Sequence, residues 1–213
     1  PKLNTPTYEL ELPSTGETLK YRPFLVKEQK ILLMAQETGG DEDIAKAMAE
    51  LVHSCTFGKI DSENAALFDV EYLFLRIRGK SVGDTVKLSL TCPDDNKTKI
   101  DYNLNLEDVS VHMLDDHTNE IYLTDNVKII FRYPILADMQ GIAGVGDVSG
   151  MFSLMSKCIS EIHYGDDVYT KQFEKITDFF NGMPKLRHVV NVTNPKTKKK
   201  SEIVLEGLQS FLV

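Results

Sequence analysis

Apolar and polar residues alternate over residues 7–12, with Tyr8, Leu10 and Leu12 on one side. The alternation stops at Pro13-Ser14-Thr15-Gly16 and resumes over 18–24. A period of two on either side of a turn-forming cluster predicts a β-hairpin. From Val26 the period becomes helical: Ile31, Leu32, Met34 and Ala35 recur at helix spacing until Gly39-Gly40. Asp41 is placed to cap a second helix with Ile44, Ala47, Met48, Leu51, Val52 and Cys55 on its apolar stripe. Asp61 or Ser62 starts a third, buried through Ala65, Leu67, Phe68, Tyr72, Leu73 and Leu75. Val86, Leu88 and Leu90 then alternate, as do Ile100, Tyr102, Leu104 and Leu106, around a turn at 92–96. This is a second hairpin.

The remainder repeats that order. A hairpin over 120–133 turns at Asp125-Asn126, and a Gly-rich segment leads to a helix from Val148 to about His163. Another helix follows from Asp166 or Asp167 through Phe173, Ile176, Phe179 and Phe180. A last hairpin spans 187–192 and 202–205 around Asn194-Pro195-Lys196. Tyr21-Arg22-Pro23-Phe24 in the first half answers Phe131-Arg132-Tyr133-Pro134 in the second. Cys55 precedes Pro93 by 38 positions, and Cys158 precedes Pro195 by 37. The expected fold is α+β, with two tandem pseudo-repeated units, each a β-hairpin, two to three helices and a β-hairpin. The units are expected over 1–113 and 114–213, the second packed on the first.

Composition narrows the function. With 42% hydrophobic and 26% charged residues in 213, the chain can form a core without staples. The formal charge of −8 argues against nucleic acid, because phosphate binding draws on a positive field. Three scattered cysteines, Cys55, Cys92 and Cys158, fit reduced buried thiols. No apolar run nears the roughly 18 residues of a membrane span, and Pro1-Lys2-Leu3-Asn4 lacks an apolar signal core. A soluble cytosolic chain with no membrane contact is expected.

Candidate chemistry is sparse. Residues 141–150 carry four glycines, as phosphate loops do, but no Gly-Lys-Ser/Thr follows. A linker or a loop ordered by a partner fits better, docking through Ile142, Val145 and Val148. Cys92 in its turn has no second zinc ligand nearby. Asp115-Asp116 and Asp166-Asp167 read as helix caps; the alternative is a metal-dependent enzyme built on these pairs and the scattered histidines. The run Lys196-Thr197-Lys198-Lys199-Lys200 reads as a solvated hairpin tip, or as an electrostatic handle for an acidic neighbour. The apolar end, with Leu205, Leu208, Phe211, Leu212 and Val213, either packs on its own core or inserts into a partner. The expected partner-binding residues are Ile142, Val145, Val148, Leu208, Phe211, Leu212 and Val213, with no catalytic residue, metal or cofactor.

The opening ten residues, with Leu12-Pro13-Ser14-Thr15-Gly16 and Tyr21-Arg22-Pro23-Phe24-Leu25-Val26-Lys27-Glu28, resemble a baseplate protein of T-even-type contractile-tailed phages. The likeness extends through residues 75–83 (Leu-Arg-Ile-Arg-Gly-Lys-Ser-Val-Gly), the Cys-Pro turn and Leu205-Glu206-Gly207-Leu208. The chain is similar to the baseplate hub subunits and tail assembly proteins of these phages. That resemblance implies a non-catalytic structural or assembly role, with other hub proteins as partners. The setting would be the host cytoplasm during assembly, and the virion tail baseplate if the chain remains there. The oligomeric state stays open.

Overall fold

The computed structural model describes residues 5–38, 41–115, 117–124, 127–139, 148–163 and 173–212. The fold is α+β, with helices and strands grouped in small antiparallel sheets. Two compact units emerge: Pro1–Ser62, Phe68–His112 and Lys185–Val213 form one, Glu63–Leu67 and Met113–Pro184 the other.

The first unit opens with the expected hairpin, β1 (Tyr8–Glu11) and β2 (Thr18–Tyr21), in register Tyr8 to Tyr21. Helices α1 (Val26–Thr38) and α2 (Asp41–Cys55) pack together, followed by α3 (Leu67–Val82). Buried residues of α3 include Phe68, Val70, Leu73, Phe74, Leu75 and Ile77, more than a single stripe supplies, so α3 is a central helix. Strands β3 (Thr85–Thr91) and β4 (Lys99–Asn105) pair Val86 with Leu104, Leu88 with Tyr102 and Leu90 with Ile100. The period-two pattern thus places each apolar residue opposite another.

Strand β5 (Ser110–His112) follows the 3-10 turn Leu106–Asp108. It pairs with β9 (Lys185–Thr193), which pairs in turn with β10 (Lys200–Glu206). The final hairpin, read from sequence as closing the second half, therefore groups with the first unit. Three residues of β5, too few to show a period, make that connection. All three hairpins of this unit close alike. An amide four residues on donates to the carbonyl of Leu12, Cys92 or Asn194. The donors Gly16, Asn96 and Lys198 all have positive φ, at 71°, 52° and 63°.

The second unit holds β6 (Glu120–Thr124), β7 (Val127–Phe131), α4 (Leu136–Met139), α5 (Val148–Cys158), β8 (Ile159–His163) and α6 (Phe173–Asn181). The expected helix through His163 ends instead at Cys158, and residues 159–163 pair antiparallel with β7. Ladder hydrogen bonds on β7's open edge outweigh a weak helical preference at the β-branched Ile159 and Ile162. Ile121, Ile129, Phe131, Leu154, Cys158 and Phe179 form the core. Phe179 stacks on Phe131 at 5.1 Å and on the His117 ring at 4.9 Å, so His117 is part of an aromatic stack. No helix among the described residues is long and apolar enough to cross a membrane.

Candidate interaction surface

Each unit contains the same side-chain latch. Arg22 leaves β2, and its Nη1 and Nη2 reach Glu28 Oε2 and Oε1 at 3.1 and 2.7 Å. Nη1 also donates to the Pro23 carbonyl, and Nη2 to Ser54 Oγ. Glu28 accepts the Leu25 N–H, so it reaches back over the start of α1 as the third residue of a capping box does. The Arg22 amide donates to the Cys55 carbonyl at 2.9 Å, tying α2 to the strand.

In the second unit, Arg132 Nη1 and Nη2 reach Asp138 Oδ2 and Oδ1 at 2.6 and 2.9 Å. Nη1 donates to the Tyr133 carbonyl, Asp138 accepts the Ile135 N–H, and the Arg132 amide donates to the Cys158 carbonyl at 2.9 Å. Burial works against both carboxylates, but the arginine forks and backbone donors win. Glu28 is held at about 2, and Asp138 is held below the usual range.

The cysteines beside these latches are sealed. Burial pushes the Cys55 thiol up to about 12 and Cys158 to about 11, against the pull of Arg22 and Arg132. Cys92 is also buried and raised by desolvation. A buried thiol this hard to ionise is a poor nucleophile. Among the described residues, no three His, Cys, Asp or Glu side chains lie close enough to hold a metal ion. His53 Nδ1 lies 2.8 Å from the Ile60 carbonyl, an element-joining contact. Asp116, Asp166 and Asp167 lie outside the described residues.

A cleft of about 290 Å³ in the first unit is lined by Tyr8, Tyr21, Tyr72, Arg76, Lys80 and Glu107. Its charges are already answered. Arg76 caps the carbonyls of Leu106, Glu107 and Val109 and bonds the Tyr72 hydroxyl. Lys80 pairs with Glu107 and Asp84. The cleft is a brace between α3 and the turn after β4.

Among the described residues, helix α1 exposes several apolar side chains. Val26 is 82% exposed, Leu33 51% and Met34 53%, with Ile31 also outside. Beside it, a shallow groove of about 170 Å³ runs between α1 and α2 past Lys27, Ile31, Ala47 and Leu51. Exposed apolar side chains gathered on one helix are a feature of contact surfaces.

The residues singled out from sequence fall elsewhere. Leu208 and Phe211 sit on the closing 3-10 turn (Leu208–Phe211) and are buried, Phe211 completely. They belong to the core of the first unit, and Leu212 is half-buried. The chain end thus takes the first of its two expected courses, because Gly207, at φ 71°, donates to the Leu186 carbonyl and turns the chain inward. Val148 begins α5. Ile142, Val145 and Val213 lie outside the described residues. The α1 face escaped the sequence reading because its apolar stripe looked like an ordinary core stripe. The signal was the near-continuous Ile31-Leu32-Leu33-Met34, too broad for one buried side.

The chain belongs to the T4 bacteriophage base plate protein family, whose model matches residues 5–213. The likeness seen in the opening residues therefore holds at family level, and the protein is a phage baseplate protein. No curated protein and no solved structure matches it.

Proposed function

We propose that this chain is a non-catalytic structural or assembly subunit of the baseplate hub, held by contacts with other hub proteins. The family match over residues 5–213 carries the reading. The exposed face of α1 supports it, since apolar area of this kind gains stability when a partner covers it. The chain meets its partners in the host cytoplasm and enters the tail baseplate with them. Residues 141–150 remain a proposed contact, through Ile142, Val145 and Val148.

The paired latches support descent from a tandem duplication. Arginine and carboxylate stand six residues apart in both units, and each arginine amide meets the carbonyl of the cysteine that ends the second helix after it. The test of function is affinity capture with the tagged chain from phage-infected cells, with mass spectrometry of the captured proteins and of purified virions. Recovery of hub proteins is expected. Capture of no tail protein at all would remove the hub reading.

A further inference from the structure

Two hairpin tips of the first unit are bolted together. Asp94, in the β3–β4 turn, accepts Asn194 Nδ2 at 2.9 and 3.2 Å and Thr197 Oγ1 at 2.5 Å, both from the β9–β10 turn. Asn194 is buried, and its own Oδ1 accepts the Lys196 and Thr197 amides, which shapes the turn. Asp95 does the same for the other tip, accepting the amides of Lys97 and Thr98. The tips are therefore shaped from within and fixed to each other.

This joint gathers Lys97 and Lys99 from one turn with Lys196, Lys198, Lys199 and Lys200 from the other, and all six are exposed. None forms an ion pair among the described residues. Residues 92–99 and 194–200 hold these six lysines against Asp94 and Asp95, a net +4. The other residues hold 18 basic and 30 acidic side chains, a net −12. Lys198 also occupies a left-handed backbone position, φ 63°, which Gly16 fills in the equivalent turn of the first hairpin. A lysine kept where glycine would relieve strain points to a use for its side chain.

We infer that this lysine tip is an electrostatic dock for a carboxylate-rich face of another baseplate protein; the inference rests on the hub reading above. Two observations favour protein over nucleic acid. The cations are all lysines, point charges that do not form the planar fork arginine offers a phosphate, and the two tips carry no aromatic ring for a base to stack on. A stiff duplex would also run past the tip into a chain of net −12, whereas a local acidic patch or a flexible acidic peptide meets the tip alone. A second copy is the weaker occupant, because two lysine tips repel one another and the rest of the chain offers its net −12 spread over its whole surface rather than as one patch.

The test compares the full chain with a variant carrying Lys→Gln at 97, 99, 196, 199 and 200, and with the matching Lys→Arg variant. Binding to poly-L-glutamate and to random-sequence duplex DNA is measured across a sodium chloride series, alongside capture of baseplate proteins from infected cells. The wild type and the Arg variant should bind polyglutamate in a salt-sensitive way. The Gln variant should lose at least tenfold in both polyglutamate binding and baseplate-protein capture, with unchanged circular dichroism and elution volume. Three outcomes overturn the dock: undiminished capture by the Gln variant, tighter binding to DNA than to polyglutamate, or self-association that the substitutions abolish. Undiminished capture would leave the hub reading standing. Failure of the wild type to capture any baseplate protein would remove both.

Discussion

Arg22 grips Glu28 through both guanidinium nitrogens, and the two side chains are only 12% and 6% exposed. A pair this well covered couples the chain's fold to pH. Glu28 is lowered to about 2 from an ordinary value of 4.5, so it stabilises the folded state fully above pH 4.5. That contribution drains away as pH falls from 4.5 towards 2. It amounts to about 3 kcal/mol. Glu28→Gln should lower the urea midpoint at pH 7 and flatten its decline between pH 5 and pH 3, relative to wild type. A parallel decline in the two proteins would sink the assignment. Asp138→Asn should act in the same direction in the second unit.

Glu71 should behave in the opposite sense. Burial on α3 raises its carboxyl to about 7. A raised value favours the fold at low pH, and the advantage is lost as pH rises from 4.5 through 7. Glu71→Gln is expected to remove that loss, so the variant gains stability over wild type at pH 8 and not at pH 4. Thermal melts at the two pH values decide.

Lys198 holds a left-handed conformation that its Cβ resists. Lys198→Gly should stabilise the chain by about 1 kcal/mol, because glycine adopts that region freely. Urea titration measures it, and a destabilised variant would show that the lysine stem contributes packing the turn depends on.

Phe211 is wholly buried in the first unit. Phe211→Ala should cost about 4 kcal/mol through the cavity it leaves. Removal of residues 208–213 should therefore lower the melting temperature sharply, where an arm serving only a partner would be dispensable to the fold. An unchanged melt after truncation would return the tail to the list of contact surfaces.

Cys55 and Cys158 should resist alkylation by iodoacetamide at pH 7.5 in the native protein and react in urea, since burial keeps both thiols protonated. Rapid native labelling of either, read by peptide mass spectrometry, would contradict their placement.

Much of the fold was legible in local pattern. Alternation in 86–90 and 100–104 placed β3 and β4 correctly, and Gly39-Gly40 separated α1 from α2, because hairpin faces and helix stripes are set by periods of two and 3.6. Residues 159–163 were misread as helix because strand pairing with β7 is decided by a neighbour distant in the chain. The Arg22 and Arg132 latches left a trace in sequence, an arginine six residues before a carboxylate in each half. Nothing local shows that those pairs are buried.

What the sequence by itself determined was most of the element types outside residues 159–163 and the family, since these depend on short-range periodicity and motif. Only the tertiary structure decided where the final hairpin pairs, that Leu208 and Phe211 belong to the core, and that Lys97 and Lys99 join Lys196, Lys198, Lys199 and Lys200. Those outcomes rest on contacts between residues up to about a hundred positions apart, such as Asp94 with Asn194. Such contacts form where burial and hydrogen bonding together repay the entropy of closing a long loop, a balance no local window contains.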